Sequence, residues 1–175
     1  MYYSSYSRAI IYGYVFFMRR IVAKLSDFSF GAVSAVITCL ALITSFDTTT
    51  ASKLGVIGSL CVIALADNIS DTLGIHIYQE GEFSSFRKVW RGTVSNFVAR
   101  VCVIFVFILF VLLLPPVLAV VCSIVYGFLI LVIISYLVAQ KRNVNSKMII
   151  GEHIVIAIFV LAVSKYIAYL IKVWV

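Results

Sequence analysis

The chain has 175 residues, 63% hydrophobic and 12% charged, with a mean hydropathy of +1.14. Soluble domains carry roughly 45–50% apolar and about 25% charged residues, so an ordinary soluble domain is excluded and one domain of several membrane spans is expected. The net charge of +7 gathers in short stretches between apolar runs, which points to topology and anionic headgroups and to no nucleic-acid partner.

The first 18 residues lack the order of a secretory signal, and the apolar piece 9–18 is too short to span. Tyr2, Tyr3, Tyr6, Tyr12 and Tyr14, punctuated by Arg8, Arg19 and Arg20, suit the headgroup level. Residues 1–23 are therefore expected to be an interfacial amphipathic segment; the alternative is a frayed terminus. Residues 24–175 read as an all-α integral membrane domain of five transmembrane helices, at about 24–46, 54–78, 96–114, 117–139 and 148–172. The first carries a small-residue face, Gly31, Ser34, Ala35 and Thr38, suited to close packing. A turn cluster at 47–52 ends it. A polar stretch at 79–95 follows the second span. Pro115-Pro116 breaks the chain between the third and fourth, and a basic loop at 140–147 precedes the fifth. Tyr166, Tyr169, Lys172 and Trp174 anchor the end. Cys39, Cys61, Cys102 and Cys122 are isolated, with no C-x-x-C, and read as small core hydrophobes.

Nearly all basic residues fall before the first span, in 79–95 and in 140–147. An N-terminus in the cytoplasm satisfies the positive-inside rule at every loop. The membrane, plasma or organellar, is not distinguished. This orientation places six of the seven acidic residues, all but Asp47, in the cytoplasmic half or at the midplane. Asp71 lies about 10 Å in from the cytoplasmic end of the second span, at 1.5 Å per residue, and Asp67 one turn deeper.

Acids inside a span cost about 2.5–3.5 kcal/mol each at the centre. Asp67 and Asp71 are four apart, on one helix face, where like charges repel. They read as a cation site or proton-relay pair, or else as helix-packing groups, with Asp67 bonded to a Ser or Thr of a neighbouring span or paired with Arg100. Asp27 is either on an ion path or an N-cap. Glu80 and Glu82 form a loading station or are solvated loop acids. His76, near Asp71 and Glu80, reads as a metal ligand or an interfacial histidine. Glu152, beside His153, reads as a ligand or a helix-start acid. Lys165 reads as a buried or snorkelling base. No phosphate-cradling glycine loop, nucleophile elbow or His-Glu-x-x-His helix occurs, so no enzyme is expected.

Ser26-Asp27, then Ala66-Asp67-x-x-Ser70-x-x-x-Gly74, then Glu82 resembles the vacuolar iron transporter (VIT) family. The segment Arg91-Gly92-Thr93 to Pro115-Pro116 is similar to that family's third span. Ala139-x-Lys141-Arg142, Gly151-Glu152 and Ser164-Lys165-Tyr166 with Tyr169-Leu170-Ile171 are similar to its last hairpin. The likeness covers roughly residues 24–173. It implies a homodimeric carrier exporting Fe²⁺ or Mn²⁺ from the cytosol, in exchange for protons, with the metal as cargo and no resident cofactor. By position it puts Asp27 and Glu82 on the ion path. The chain departs from the pattern where the family has Met and this sequence has Asp71, and at Phe28, Ile75 and His76. The long Glu-rich cytoplasmic insert is also missing. A carboxylate in place of a thioether favours harder ions. The alternatives are a carrier of another cation, and a non-transporting scaffold or assembly protein of the same architecture.

Overall fold

The computed structural model describes residues 28–46, 52–82 and 85–174. These form five helices: α1 (Phe28–Phe46), α2 (Lys53–Gly81), α3 (Phe86–Leu113), α4 (Pro116–Arg142) and α5 (Ser146–Trp174). Among the described residues there is no strand, and each helix is long and apolar enough to cross a bilayer. Residues 1–23 and Asp27 lie outside the described residues.

The helices outrun the apolar spans that mark them. Most of the stretch read as a polar loop at 79–95 is helical, because α2 continues to Gly81 and α3 starts at Phe86. Arg87, Lys88 and Arg91 are good helix formers, and all three are exposed at the start of α3. α4 likewise runs to Arg142 and α5 to Trp174.

α1 is the hub. Ala32, Ala35, Val36 and Cys39 are wholly buried. Ser34 bonds to Asp71 on α2, and Ser45 Oγ donates to Ser164 O on α5 at 3.4 Å. A Cβ at Gly127 of α4 would stand 2.7 Å from the Leu40 side chain, and one at Gly31 would stand 2.7 Å from the backbone oxygen of Asn96 on α3. These small residues let neighbouring backbones close on α1, as expected of its small-residue face. Phe107 and Tyr126 add an edge-on ring contact between α3 and α4, with centroids 5.2 Å apart.

The turns are closed by specific groups. Ser52 caps α2, its Oγ accepting from the Gly55 amide at 3.1 Å. α3 ends at Pro115-Pro116, and Pro116 opens α4 where a missing amide costs nothing. The freed carbonyls at that end are taken by Lys53 Nζ, which donates to Leu112 O at 2.7 Å and to Leu114 O at 3.4 Å. α4 ends on Asn143 in the left-handed region at φ 54°, a conformation asparagine tolerates.

α2 contains one π-turn, Ile63–Asp67. Its buried residues, Val56, Leu60, Asn68 and Thr72, are spaced in fours. An unbroken α-helix would rotate Thr72 roughly 160° away from Val56. The π-turn absorbs about one extra residue and returns the lower half of α2 to the same inner face.

The exterior is apolar, with Leu65, Phe105, Val125 and Phe159 each more than half exposed, which is compatible with lipid contact. Of the four free cysteines, Cys39 is buried as expected. Cys61 and Cys102 instead are exposed, Cys102 in a groove that it lines with Phe28, Tyr126 and Ile130. Lys165 is also exposed, not buried.

Candidate functional site

Arg100 is completely buried at the junction of α1, α2 and α3. Its Nη1 donates to Asp71 Oδ2 and its Nη2 to Asp67 Oδ2. The guanidinium fork matches two acceptors at once, and two carboxylates one helical turn apart supply them. Ser34 Oγ, from α1, adds a third bond to Asp71 Oδ2 at 2.9 Å. The acids are not sealed: the Asp67 side chain is 41% exposed and that of Asp71 33%. Asp71 lines a cleft of about 480 Å³ with Phe30, Ser70, Gly74, Tyr78 and Gln79.

A chain of amides and hydroxyls runs behind this triad, and its direction is forced. Asn68 Nδ2 donates to Phe97 O at 3.2 Å, so Asn68 turns its oxygen toward Thr72. Thr72 Oγ1 donates to that oxygen at 3.2 Å. Having committed its hydrogen, Thr72 accepts from Asn96 Nδ2 at 3.0 Å. Asn96 therefore presents Oδ1 to Gly31. A Cβ at Gly31 would fall 2.4 Å from Asn96 Oδ1 and 3.0 Å from Arg100 Cγ, so only glycine admits this contact. Among the described residues, Asn96 Oδ1 is buried with no hydrogen-bond partner, and so is Arg100 Nε.

A second polar group lies nearer the basic end. Thr93 Oγ1 donates to Val89 O at 2.9 Å, so it accepts from His76 Nδ1 at 2.8 Å. That leaves His76 Nε2 facing Glu80 Oε1 at 3.4 Å. Trp90 packs edge-on against the imidazole, with centroids 4.9 Å apart. On the last hairpin Ser135 Oγ donates to Leu131 O and accepts from His153 Nδ1 at 2.7 Å.

The expected site residues thus fall into separate groups. Asp67 and Asp71 meet at Arg100, and His76 meets Glu80. Glu82 and Glu152 are exposed, and Asp27 lies outside the described residues. Among the described residues, no three His, Cys, Asp or Glu side chains converge where one metal ion would fit. The pairing of Asp67 with Arg100 was readable from the sequence. The bond of Arg100 to Asp71 and the roles of Ser34, Asn68, Thr72 and Asn96 were not. One signal was present: Thr93, Asn96 and Arg100 recur at helical spacing within an apolar run, as do Asn68 and Thr72. No family model matches the chain, and neither does any curated protein or any solved structure.

Proposed function

We propose that the protein is a membrane carrier that exchanges a cation at Asp67 and Asp71, with Arg100 as the fixed positive partner. One observation carries this reading: two carboxylates share one guanidinium beside an open cleft. With all three groups ionised, and counting the described residues, the centre carries one negative charge in excess inside a membrane-length helix. Such a charge is costly in lipid, and a proton or a cation removes it. An arginine holding a pair of acids for structure alone is expected to be matched in charge and closed to solvent. Unit charges 4 Å apart interact by about 4 kcal/mol at an effective dielectric of about 20, enough to make cation and proton compete for the place.

The donors on this cleft are carboxylate, hydroxyl and amide oxygens, which suit hard or borderline ions such as Mn²⁺, Fe²⁺, Mg²⁺ or Ca²⁺. The resemblance to the vacuolar iron transporter family favours Fe²⁺ or Mn²⁺ leaving the cytosol against protons. The basic end of the bundle then faces the cytosol, with His76 and Glu80 at the entrance. A homodimer belongs to the same proposal and rests on the resemblance alone.

A second reading has its own observation. Arg100 is wholly buried and engages both acids, as it would in a scaffold or assembly protein that transports nothing. Flux in proteoliposomes across Mn²⁺, Fe²⁺, Ca²⁺ and Mg²⁺ separates the two. The carrier reading expects uptake of at least one ion, lost in Asp71→Asn. Equal flux in wild type, Asp71→Asn and empty liposomes would establish the scaffold.

A further inference from the structure

We infer that Asn96 Oδ1 is a second berth for the Arg100 guanidinium, occupied when a divalent cation sits between Asp67 and Asp71. This rests on the carrier reading and adds a residue and a movement to it. The starting point is a matched pair of deficits. Arg100 Nε–H is a buried donor without an acceptor, and Asn96 Oδ1 is a buried acceptor without a donor. They belong to residues one helical turn apart on α3, whose Cβ atoms lie about 5–6 Å apart at that spacing. Buried polar groups are ordinarily satisfied. Two complementary ones left open side by side mark a place with a second arrangement.

Asn96 cannot relieve its own deficit by turning over. Its amide nitrogen is held by Thr72 Oγ1, whose hydrogen is committed to Asn68 Oδ1, while Asn68 is fixed by Phe97 O. The chain of bonds polarises in one direction and delivers an oriented oxygen to the space beside the arginine stem. Gly31 lets α1 pack directly against both residues: a Cβ there would stand 2.4 Å from Asn96 Oδ1 and 3.0 Å from Arg100 Cγ.

Charge supplies the reason for movement. A divalent ion matches two carboxylates, and a guanidinium on the same oxygens repels it. Swinging Nε and the Nη groups toward Asn96 Oδ1 frees both acids while keeping the arginine hydrogen-bonded. When the ion leaves, the guanidinium returns to Asp67 and Asp71 and covers them. Arg100 is then a tethered competitor of the cargo, and Asn96 is a positioning residue that sets how readily it yields.

The test is Mn²⁺ binding to the purified full chain in detergent, read as a dissociation constant. Asn96→Ala removes the berth and is expected to weaken Mn²⁺ about tenfold or more. Asn96→Asp, of nearly the same shape, holds the arginine away and is expected to tighten Mn²⁺ by a similar factor. A carboxylate could also act simply as added negative charge, so both changes are repeated with Arg100→Gln. Should that variant not fold, Arg100→Lys keeps both carboxylates and the charge of the centre while removing the Nε–H donor. With the arginine gone, both effects are expected to vanish. Effects that persist without Arg100, or equal affinity in wild type and both Asn96 variants, would overturn the berth. Wild type that binds none of Mn²⁺, Fe²⁺, Ca²⁺ and Mg²⁺ and passes none of them would overturn the carrier reading as well, a result distinct from either.

Discussion

Arg100 decides the character of the interior at the scale of single residues. Its charge is compensated twice over by Asp67 and Asp71, whereas among the described residues each acid has it alone as a formal opposite charge. Removing the arginine leaves two like charges one turn apart beside lipid; removing one acid leaves a matched pair. The consequences for stability are therefore unequal. Arg100→Met is expected to lower stability by about 3 kcal/mol, in the range for a buried pair that loses one partner. Asp71→Asn is expected to leave the melting temperature within a few degrees of wild type while abolishing flux. Adding Asp67→Asn and Asp71→Asn to Arg100→Met should restore the melting temperature, since no charge then remains. Thermal unfolding in detergent checks all three, and a stable Arg100→Met protein would show that water, not the guanidinium, balances these acids. The same reasoning separates what was legible in the sequence from what was not. Aspartates in an apolar run announce a buried charge centre, and an arginine in another run is the obvious partner. That one arginine serves both acids, and that Ser34 joins them, depends on the relative register of three helices, which no single helix encodes.

Register is set by the elements, through local devices whose sequence signals are weak. The π-turn at Ile63–Asp67 brings Asn68 and Thr72 onto the face that buries Val56 and Leu60, and nothing in Ile-Ala-Leu-Ala-Asp marks it. Apolar length identified all five helices, because a bilayer demands length. It missed their ends, because arginine and lysine continue a helix as readily as they leave it. The tight turn after α3 was readable from two prolines, but its stabilising partner was not: Lys53 reaches Leu112 O and Leu114 O from the start of α2. A cation at a helix C-terminus satisfies free carbonyls and complements the dipole. Lys53→Met keeps the aliphatic stem and removes the donors, so about 1–3 kcal/mol of stability should be lost. Unfolding by denaturant would measure it, and an unchanged midpoint would mean that solvent serves those carbonyls as well.

Across the whole molecule, charge is separated by end. Short connections between successive long helices make neighbours antiparallel, so the end of α2 and start of α3 lie at the same end of the bundle as the end of α4 and start of α5. Arg87, Lys88, Arg91, Lys141, Arg142 and Lys147 cluster around them. The opposite end holds Lys53 and the proline pair. The positive-inside rule predicts that the first end, which carries His76, Glu80 and Trp90, faces the cytosol. In the proposed carrier, the acids of α2 are then reached from the cytosolic side. The assignment is testable without knowing the cargo. In a chain whose four native cysteines are changed to alanine, single cysteines at Ser85, Asn145 and Pro115 would be exposed to a membrane-impermeant maleimide on intact cells. For a chain in the plasma membrane, the Pro115→Cys position should label from outside, while Ser85→Cys and Asn145→Cys should label only after the membrane is opened. The unaltered chain supplies the control, because Cys61 and Cys102 sit on the apolar exterior and lipid should shield them from a charged reagent. Labelling at Ser85→Cys from outside would invert the bundle, place the His76–Glu80 end outside and overturn the proposed loading from the cytosol.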